Sequence, residues 1–504
     1  MAASGTPLAV RTFRWLRICG GSTGLLLIVS AHVGTLDVFF RGNAGPYGVQ
    51  VTVRPPGVVP GLAQIIIRTD SHAVTRVTTQ AATWNLGSRG APRPDDAVRS
   101  PGDPALWTSE VWLMTRGSYA IRVGITGPRG SGEVTVPFTS IATRQLRMAG
   151  SLGWVLAGLG TFLVVGLVSI IGTAARESTV APGAPITPGQ VRRGRLALIG
   201  GAVVIALGLT GGRAWWNAVD AAYARSLYRP MDAALDVVPD STGGRRLRLT
   251  ITDSLYASGG RPPIIPDHGK PLHLFLVRED DSGSLGHLHP VQRDRTTFDA
   301  PVPALPPGAY RYFADVVQES GYAQTMTGRV VLADGTGPAA AGDPDDAMFT
   351  GTPSPDSVTG LPGGLAVTFA RPRDPAPARD VLLQFTIRDS SGAVVSLEPY
   401  RGMPGHAIVQ RTDGGVFAHL HSNGSFSMAA QQVLQAVERG DTLESLVRGM
   451  PRPRLDSAHT SSHAPRARGQ LEFPFAFPTA GAYIVWVQFR SSTVRTAAFS
   501  LIVP

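Results

Sequence analysis

A single cysteine, Cys19, in 504 residues rules out an intrachain disulfide and any thiolate-held zinc or iron–sulfur cluster. Cys19 lies inside an apolar stretch with no apolar run before it, so it does not fit a lipoprotein cysteine. A metal site in the soluble regions must therefore be built from histidine, methionine and carboxylates. Lysine is nearly missing too: Lys270 stands alone, and the net charge of +10 comes almost wholly from arginine. Those arginines are scattered singly among apolar residues. The basic stripe with interleaved aromatics that marks a nucleic-acid groove is absent, so nucleic acid is not an expected partner. Also missing are a glycine loop closed by lysine for phosphate, a His-Glu-x-x-His helix, and the alternating strands and helices of a (β/α)8 barrel. No catalytic residue is predicted, and the chain is expected not to be an enzyme.

What is present points to β structure. Hydrophobic residues at 43% against 16% charged residues can bury several cores. The 59 glycines and 41 prolines suit many short strands joined by turns. The expected fold class is mainly β, with repeated immunoglobulin-like β-sandwich domains and two or three transmembrane helices.

Three apolar stretches break the β pattern. The first, near 18–34, follows Arg11, Arg14 and Arg17 and ends in Val-Ser-Ala, so it reads equally as a cleavable signal peptide or a retained anchor. The second, within 149–174, and the third, 196–213 before Trp215 and Trp216, are long enough to span a bilayer. The short loop between them, 175–195, carries Arg176, Arg192, Arg193 and Arg195 against one acid, Glu177. The positive-inside rule places that loop in the cytoplasm and the bulk of the chain outside it. The expected localisation is the plasma (inner) membrane, multi-pass, with an extracytoplasmic or periplasmic bulk.

The resulting map runs from a signal peptide or anchor at 1–34 to a β-sandwich at 35–148, the two membrane helices and their loop, and an interfacial helix over 214–240. A second sandwich follows at 245–335, a mobile linker at 336–363, and a third sandwich at 364–504 with an insertion at 428–470. The insertion begins with a short helix and continues as a flexible loop. "TRGSYAIRVGI" at 115–125, "LPPGAYRYFADVV" at 305–317 and "PTAGAYIVWVQFR" at 478–490 share a Gly-small-Tyr entry into a strand, which suggests three copies of one domain type.

Two of the copies carry histidines in a common pattern. In "GHAIVQRTDGGVFAHLH" at 405–421, Asp413-Gly414 reads as a two-residue hairpin turn that sets His406 opposite His421. His419 shares the face of His421, because strand side chains alternate. In "LHLFLVREDDSGSLGHLH" at 272–289, His273, His287 and His289 repeat the arrangement around a longer turn with several allowed registers. Converging neutral imidazoles suit copper, zinc or nickel, and a thioether would favour copper. Met403, Met428 and Met326 are the thioether candidates. The alternative is that all six histidines are structural. His32 would become an amino-terminal chelator if cleavage followed Ala31; His268, His459, His463 and His72 read as solvated surface residues.

The strand pattern "VTVRPPGVVPG" with "GSYAIRVGITG" resembles the YtkA-like and FixH-like extracytoplasmic domains of bacteria. "LHLFLVREDDSGSLGHLHP" resembles the His-rich strand pair of related metal-binding sandwiches. The resemblance covers about 300 residues of the chain and rests on short motifs of moderate specificity. It implies an immunoglobulin-like fold and a link to copper handling or oxidase assembly, with the lipid bilayer and an envelope metalloprotein or oxidase assembly factor as partners. The expected function is copper binding or delivery in the cell envelope, with zinc as the alternative ion. The rival expectation is an envelope interaction module that binds no metal.

Overall fold

The computed structural model describes residues 32–33, 37–84, 87–240, 244–280, 283–333, 342–400, 403–439 and 467–504. The chain is mainly β, with mostly antiparallel sheets and two long apolar helices between the first and second groups of strands. The first apolar stretch, Cys19, His459 and His463 lie outside the described residues.

Three pairs of facing sheets each enclose a core. In the first unit the sheet running from Val38–Ala44 to Asp103–Leu113 closes on the sheet holding Gly117–Gly127 and Gly130–Ser140, around Tyr47, Ile65, Trp107 and Ile121. In the second, Ala233–Pro239 and Arg245–Ile251 face the sheet centred on Gly308–Gln318, around Leu249, Leu274, Tyr310 and Tyr312. In the third, Val358–Leu361 through Gln470–Ala476 face the sheet of Val416–His421, Gly405–Arg411, Gly481–Ser491 and Thr493–Val503.

The repeated Gly-small-Tyr step has one geometry in all three units. Gly117, Gly308 and Gly481 take φ of 136°, 147° and 143°, a region that favours glycine. The tyrosine two residues on reaches back four residues. The Tyr310 hydroxyl donates to the Pro306 carbonyl at 2.7 Å, and that of Tyr483 to the Thr479 carbonyl at 2.7 Å. The Tyr119 hydroxyl accepts from the Thr115 backbone N–H at 3.3 Å.

Helices Gly150–Glu177 and Pro188–Arg225 are long and apolar enough to cross a membrane, with mean hydropathy of 2.4 and 1.7 in their most apolar stretches. They pack closely where glycines meet: a Cβ on Gly194 would stand 2.9 Å from the Gly172 carbonyl oxygen. Thr187 and Gln190 form a capping box at the start of the second helix, with Pro188 in its first turn. The separate interfacial helix expected over 214–240 is not formed. The second helix runs unbroken to Arg225 through an alanine-rich stretch without glycine or proline. Ala233–Pro239, with its Val237-Val238 pair, is instead a strand against Arg245–Ile251.

One further boundary shifts, and the helix expected at the start of the insertion is formed. Ala347–Phe349, inside the expected linker, is a strand that joins the second unit's sheet beside Leu285–Leu288. The insertion begins with helix Met428–Arg439, whose Ala429, Ala430, Val433 and Leu434 pack between Trp84 and Ala120 of the first unit and Ile265 and Val317 of the second.

The sheets that carry the histidines are buried on both faces. Along His273–Arg278, Leu274 and Leu276 enter the second unit's own core, while Phe275 and Val277 meet the third unit. Along Val416–His421, Ala418 and Leu420 enter the third unit's core and Phe417 points the other way. Phe275, Phe313, Phe417, Ile408 and Trp486 thus form a separate apolar cluster between the units, with Phe313 and Phe417 stacked at 4.0 Å and 5°.

Candidate metal centre

Strand alternation carries the histidines onto this same interface. His273 and His287 share their strand faces with Phe275 and Leu285; His406 follows Ile408, and His419 and His421 follow Phe417. The two histidine patterns therefore form one cluster, with the second unit's residues facing the third's. The His273 ring lies 5.3 Å from that of His419, and His287 lies 5.5 Å from His419 and 6.3 Å from His406. His273, His287, His289, His406 and His421 are buried, each at most 4% exposed.

In the third unit His406 pairs directly with His421, and Ile408 with His419. The connection spans 412–415 rather than two residues, with the Gly414 N–H donating to the Arg411 carbonyl at 2.7 Å and Gly414 at φ 74°. Four residues centred on the same point preserve the register. In the second unit Phe275 pairs with His287, which sets His273 opposite His289 beyond the last paired residues.

Hydrogen bonds fix the ring orientations of the second unit's three. The Nε2 of His273 donates to the Asp267 carbonyl at 3.2 Å, which leaves a lone pair on Nδ1. The Nδ1 of His287 donates across the interface to Oε1 of Gln488 at 2.8 Å, and Gln488 is oriented by donating Nε2–H to Thr496 at 3.3 Å. The Nδ1 of His289 donates to Oδ1 of Asp346 at 2.9 Å; that oxygen also accepts the His289 backbone N–H at 2.9 Å, so it is an acceptor. Burial, then the neighbouring Asp343 carboxylate, pushes the Asp346 pKa up to about 7.

These bonds turn the remaining ring nitrogens toward one another. His273 Nδ1 and His287 Nε2 stand 3.2 Å apart. Two nitrogens on one tetrahedral ion, each at about 2.0–2.1 Å, are roughly 3.4 Å apart. The ligand nitrogens of His273, His287 and His289 lie within 4.8 Å of one another. Each ring is held from outside by a carbonyl, an amide or a carboxylate, the arrangement that positions histidine ligands in metal sites. The donors of His289, Asp343 and Asp346 also lie within 4.8 Å of one another. Asp346 is already engaged: its Oδ1 takes two His289 N–H groups and its Oδ2 the Asp343 N–H, so it acts by orienting His289.

A second trio differs from the expected one. His268, read from the sequence as solvated, has its side chain 4% exposed, and its donors lie within 4.8 Å of those of His406 and His421. It occupies a left-handed position, φ 51°, in the turn closed by Asp267 and Lys270, with Gly269 next at φ 78°. Asp267 is tied down in turn: its Oδ1 accepts the Ala429 N–H of helix Met428–Arg439 at 2.9 Å. His419 belongs to neither trio; its Nδ1 lies 3.5 Å from Oδ2 of Asp315, across the interface. Among the described residues, both nitrogens of His406, both of His421 and Nε2 of His419 have no hydrogen-bond partner. Burial above all, with the nearby imidazoles adding to it, holds the pKa values of His406 and His421 well below the usual histidine range.

Two of the thioether candidates pack away from the cluster. Met326 pairs with Ala314 and points into the second unit's core, and Met428 packs against the first unit's core. Met403 is buried in a small turn with Tyr400, whose ring stands 4.9 Å from His406. His72 is exposed. His32 lies in a two-residue strand paired with Val416, at the far end of that strand from His421. A pocket of about 200 Å³ borders the cluster at His273, His419 and His421, and is lined also by Asp267, Asp315 and Lys270 and by Phe138 and Ile141 of the first unit.

Residues 360–504 match a family model described as Domain of unknown function (DUF8832). No curated protein matches the chain. Among solved structures, the chain is similar to a tetra-tandem repeat in the extending region of a large adhesion protein: 8% identity, 92% of this chain and 81% of that one, TM-score 0.14. It is also similar to invasin, a bacterial integrin-binding protein, at 9% identity, over 90% and 60% of the two chains, TM-score 0.14. A third likeness is to a putative membrane anchored protein from Corynebacterium diphtheriae, at 10% identity, over 93% and 96%, TM-score 0.13. At these scores the structural likenesses carry no argument.

Proposed function

We propose that this chain is a membrane-anchored extracytoplasmic metal-binding protein that holds a copper ion, with zinc as the alternative, and passes it on within the cell envelope. One observation carries the reading: the ligand nitrogens of His273, His287 and His289 converge within 4.8 Å of one another, each ring anchored from outside, with a 3.2 Å nitrogen pair suited to an ion. Neutral imidazoles suit both ions, and copper(II) outranks zinc at nitrogen sites. His406, His419 and His421 line the same chamber.

The membrane anchoring rests on the two apolar helices and on the arginines of the loop between them. An immunoglobulin-like identity for the three units is supported by the tyrosines that bond back four residues, a feature of such sandwiches. Kinship with YtkA-like and FixH-like domains is part of the same proposal, as is an oxidase assembly factor or envelope metalloprotein as recipient.

A purely structural role for the histidines fits the interface poorly. Each buried polar group without a partner costs about 1–3 kcal/mol, and five ring nitrogens of His406, His419 and His421 are in that state. The test is elemental analysis of the full chain in detergent after dialysis against Cu(II) or Zn(II), beside His287→Ala with His289→Ala. Tight binding that falls in the double variant is expected. Binding no tighter than millimolar in the parent chain would refute the reading.

A further inference from the structure

We infer that the chamber between the second and third units takes two metal ions, the second held by His268, His406 and His421. This rests on the metal reading above and extends it from one ion to a paired centre. The donors of these three lie within 4.8 Å of one another, as do those of His273, His287 and His289. Among the described residues, no donor group mixes members of the two trios, so each trio converges as a separate set. The trios are nevertheless adjacent: His268 and His273 rings are 6.4 Å apart, and His287 and His406 rings 6.3 Å.

The second trio is built rather than accidental. His406 is fully buried and His421 nearly so, and neither has a hydrogen-bond partner on either nitrogen among the described residues. His268 is held in a left-handed turn, a conformation that costs energy for a non-glycine residue and tends to persist where function requires it. The turn's Asp267 is anchored on the helix Met428–Arg439, so the insertion in the third unit positions a ligand of the second. This second ion takes one ligand from one unit and two from the other. Its binding therefore requires the units to be docked as they are here.

His268→Asn tests this directly, because asparagine accepts the left-handed turn but leaves the trio incomplete. Elemental analysis of the metal-saturated full chain in detergent should give two ions for the parent protein. His268→Asn and, independently, His406→Leu should each give one. His287→Ala with His289→Ala should also give one, from the other trio. With Cu(II), electron paramagnetic resonance should show interacting ions in the parent chain and an isolated-ion spectrum in each variant, which separates site loss from a fold defect. One ion in the parent chain, or two retained in both His268→Asn and His406→Leu, would overturn the inference while leaving the proposed function standing. No ion at all would overturn both.

Discussion

Replacing His406 by leucine should make the metal-free protein more stable. The imidazole is fully buried, and neither nitrogen has a partner among the described residues. At about 1–3 kcal/mol for each unsatisfied buried group, the ring carries a cost of several kcal/mol. Leucine is apolar and of similar volume, so its fit costs under about 1.5 kcal/mol. It also loses the edge contact with Tyr400 at 4.9 Å, which is worth about 0.5–1.5 kcal/mol. The balance favours the variant by about 1–3 kcal/mol, or roughly 2–4 °C in melting temperature per kcal/mol for a unit of this size. Scanning calorimetry of the full chain in detergent and chelator measures it. Saturating metal should reverse the order, since a ligand at about 1,000-fold its Kd stabilises the parent by about 4.1 kcal/mol per site. A chelated variant less stable than its parent would show that the ring supports the fold, and the argument from unpartnered nitrogens would fail.

Gln488→Leu removes the acceptor that orients His287 from across the interface; metal affinity should fall about 10–100-fold with circular dichroism unchanged, read by competitive chelator titration. Phe417→Ala removes the ring stacked on Phe313 at 4.0 Å and should cost about 3–5 kcal/mol; limited proteolysis should then cut between the second and third units. Asp299, its side chain 3% exposed, is paired with Arg248, Arg246 and Arg293. Hydrogen bonding to Arg248 first, then the other guanidiniums, holds its pKa below the usual carboxylate range against an opposing effect of burial. A lowered folded-state value means stability that is present above the unfolded carboxylate pKa of about 3.9 and lost as pH falls through the folded value. Asp299→Asn should destabilise by about 2 kcal/mol at pH 7 and flatten the acid limb below about pH 4 in urea titrations.

Local geometry was legible in the sequence where it depended on neighbours in the chain. The Asp413-Gly414 centre placed His406 opposite His421, and a four-residue connection leaves that register intact. The Gly-small-Tyr repeat marked one strand entry in each unit. The partner of each histidine face was not legible, because docking of one sandwich on another depends on residues far apart in the chain. "LFLV" at 274–277 shows no polar alternation: its odd residues serve the interface and its even ones the core, and both are apolar. His268 was missed because Asp-His-Gly-Lys reads as an exposed turn. The signal lay in the two-residue hairpin geometry, which carries His268 back toward the strand that starts at His273. Met326 points to the core because it pairs with Ala314, a parity visible only once the strand pairing is known.

The unbroken helix Pro188–Arg225 bears on how any recipient would have to be built. With the apolar stretch in a bilayer, residues 213–225 rise beyond it as a rigid rod of up to about 20 Å at 1.5 Å per residue. The rod is braced by Gln145 on Asp220 and by Tyr223, whose hydroxyl accepts the Val59 N–H at 3.3 Å. In the proposed membrane setting it would act as a ruler, fixing how high the histidine chamber rides above the lipid. A recipient anchored in the same membrane would have to present its own ligands at a matching altitude, and inserting or deleting a helical turn in 213–225 would change that altitude and the direction the chamber faces without altering its chemistry.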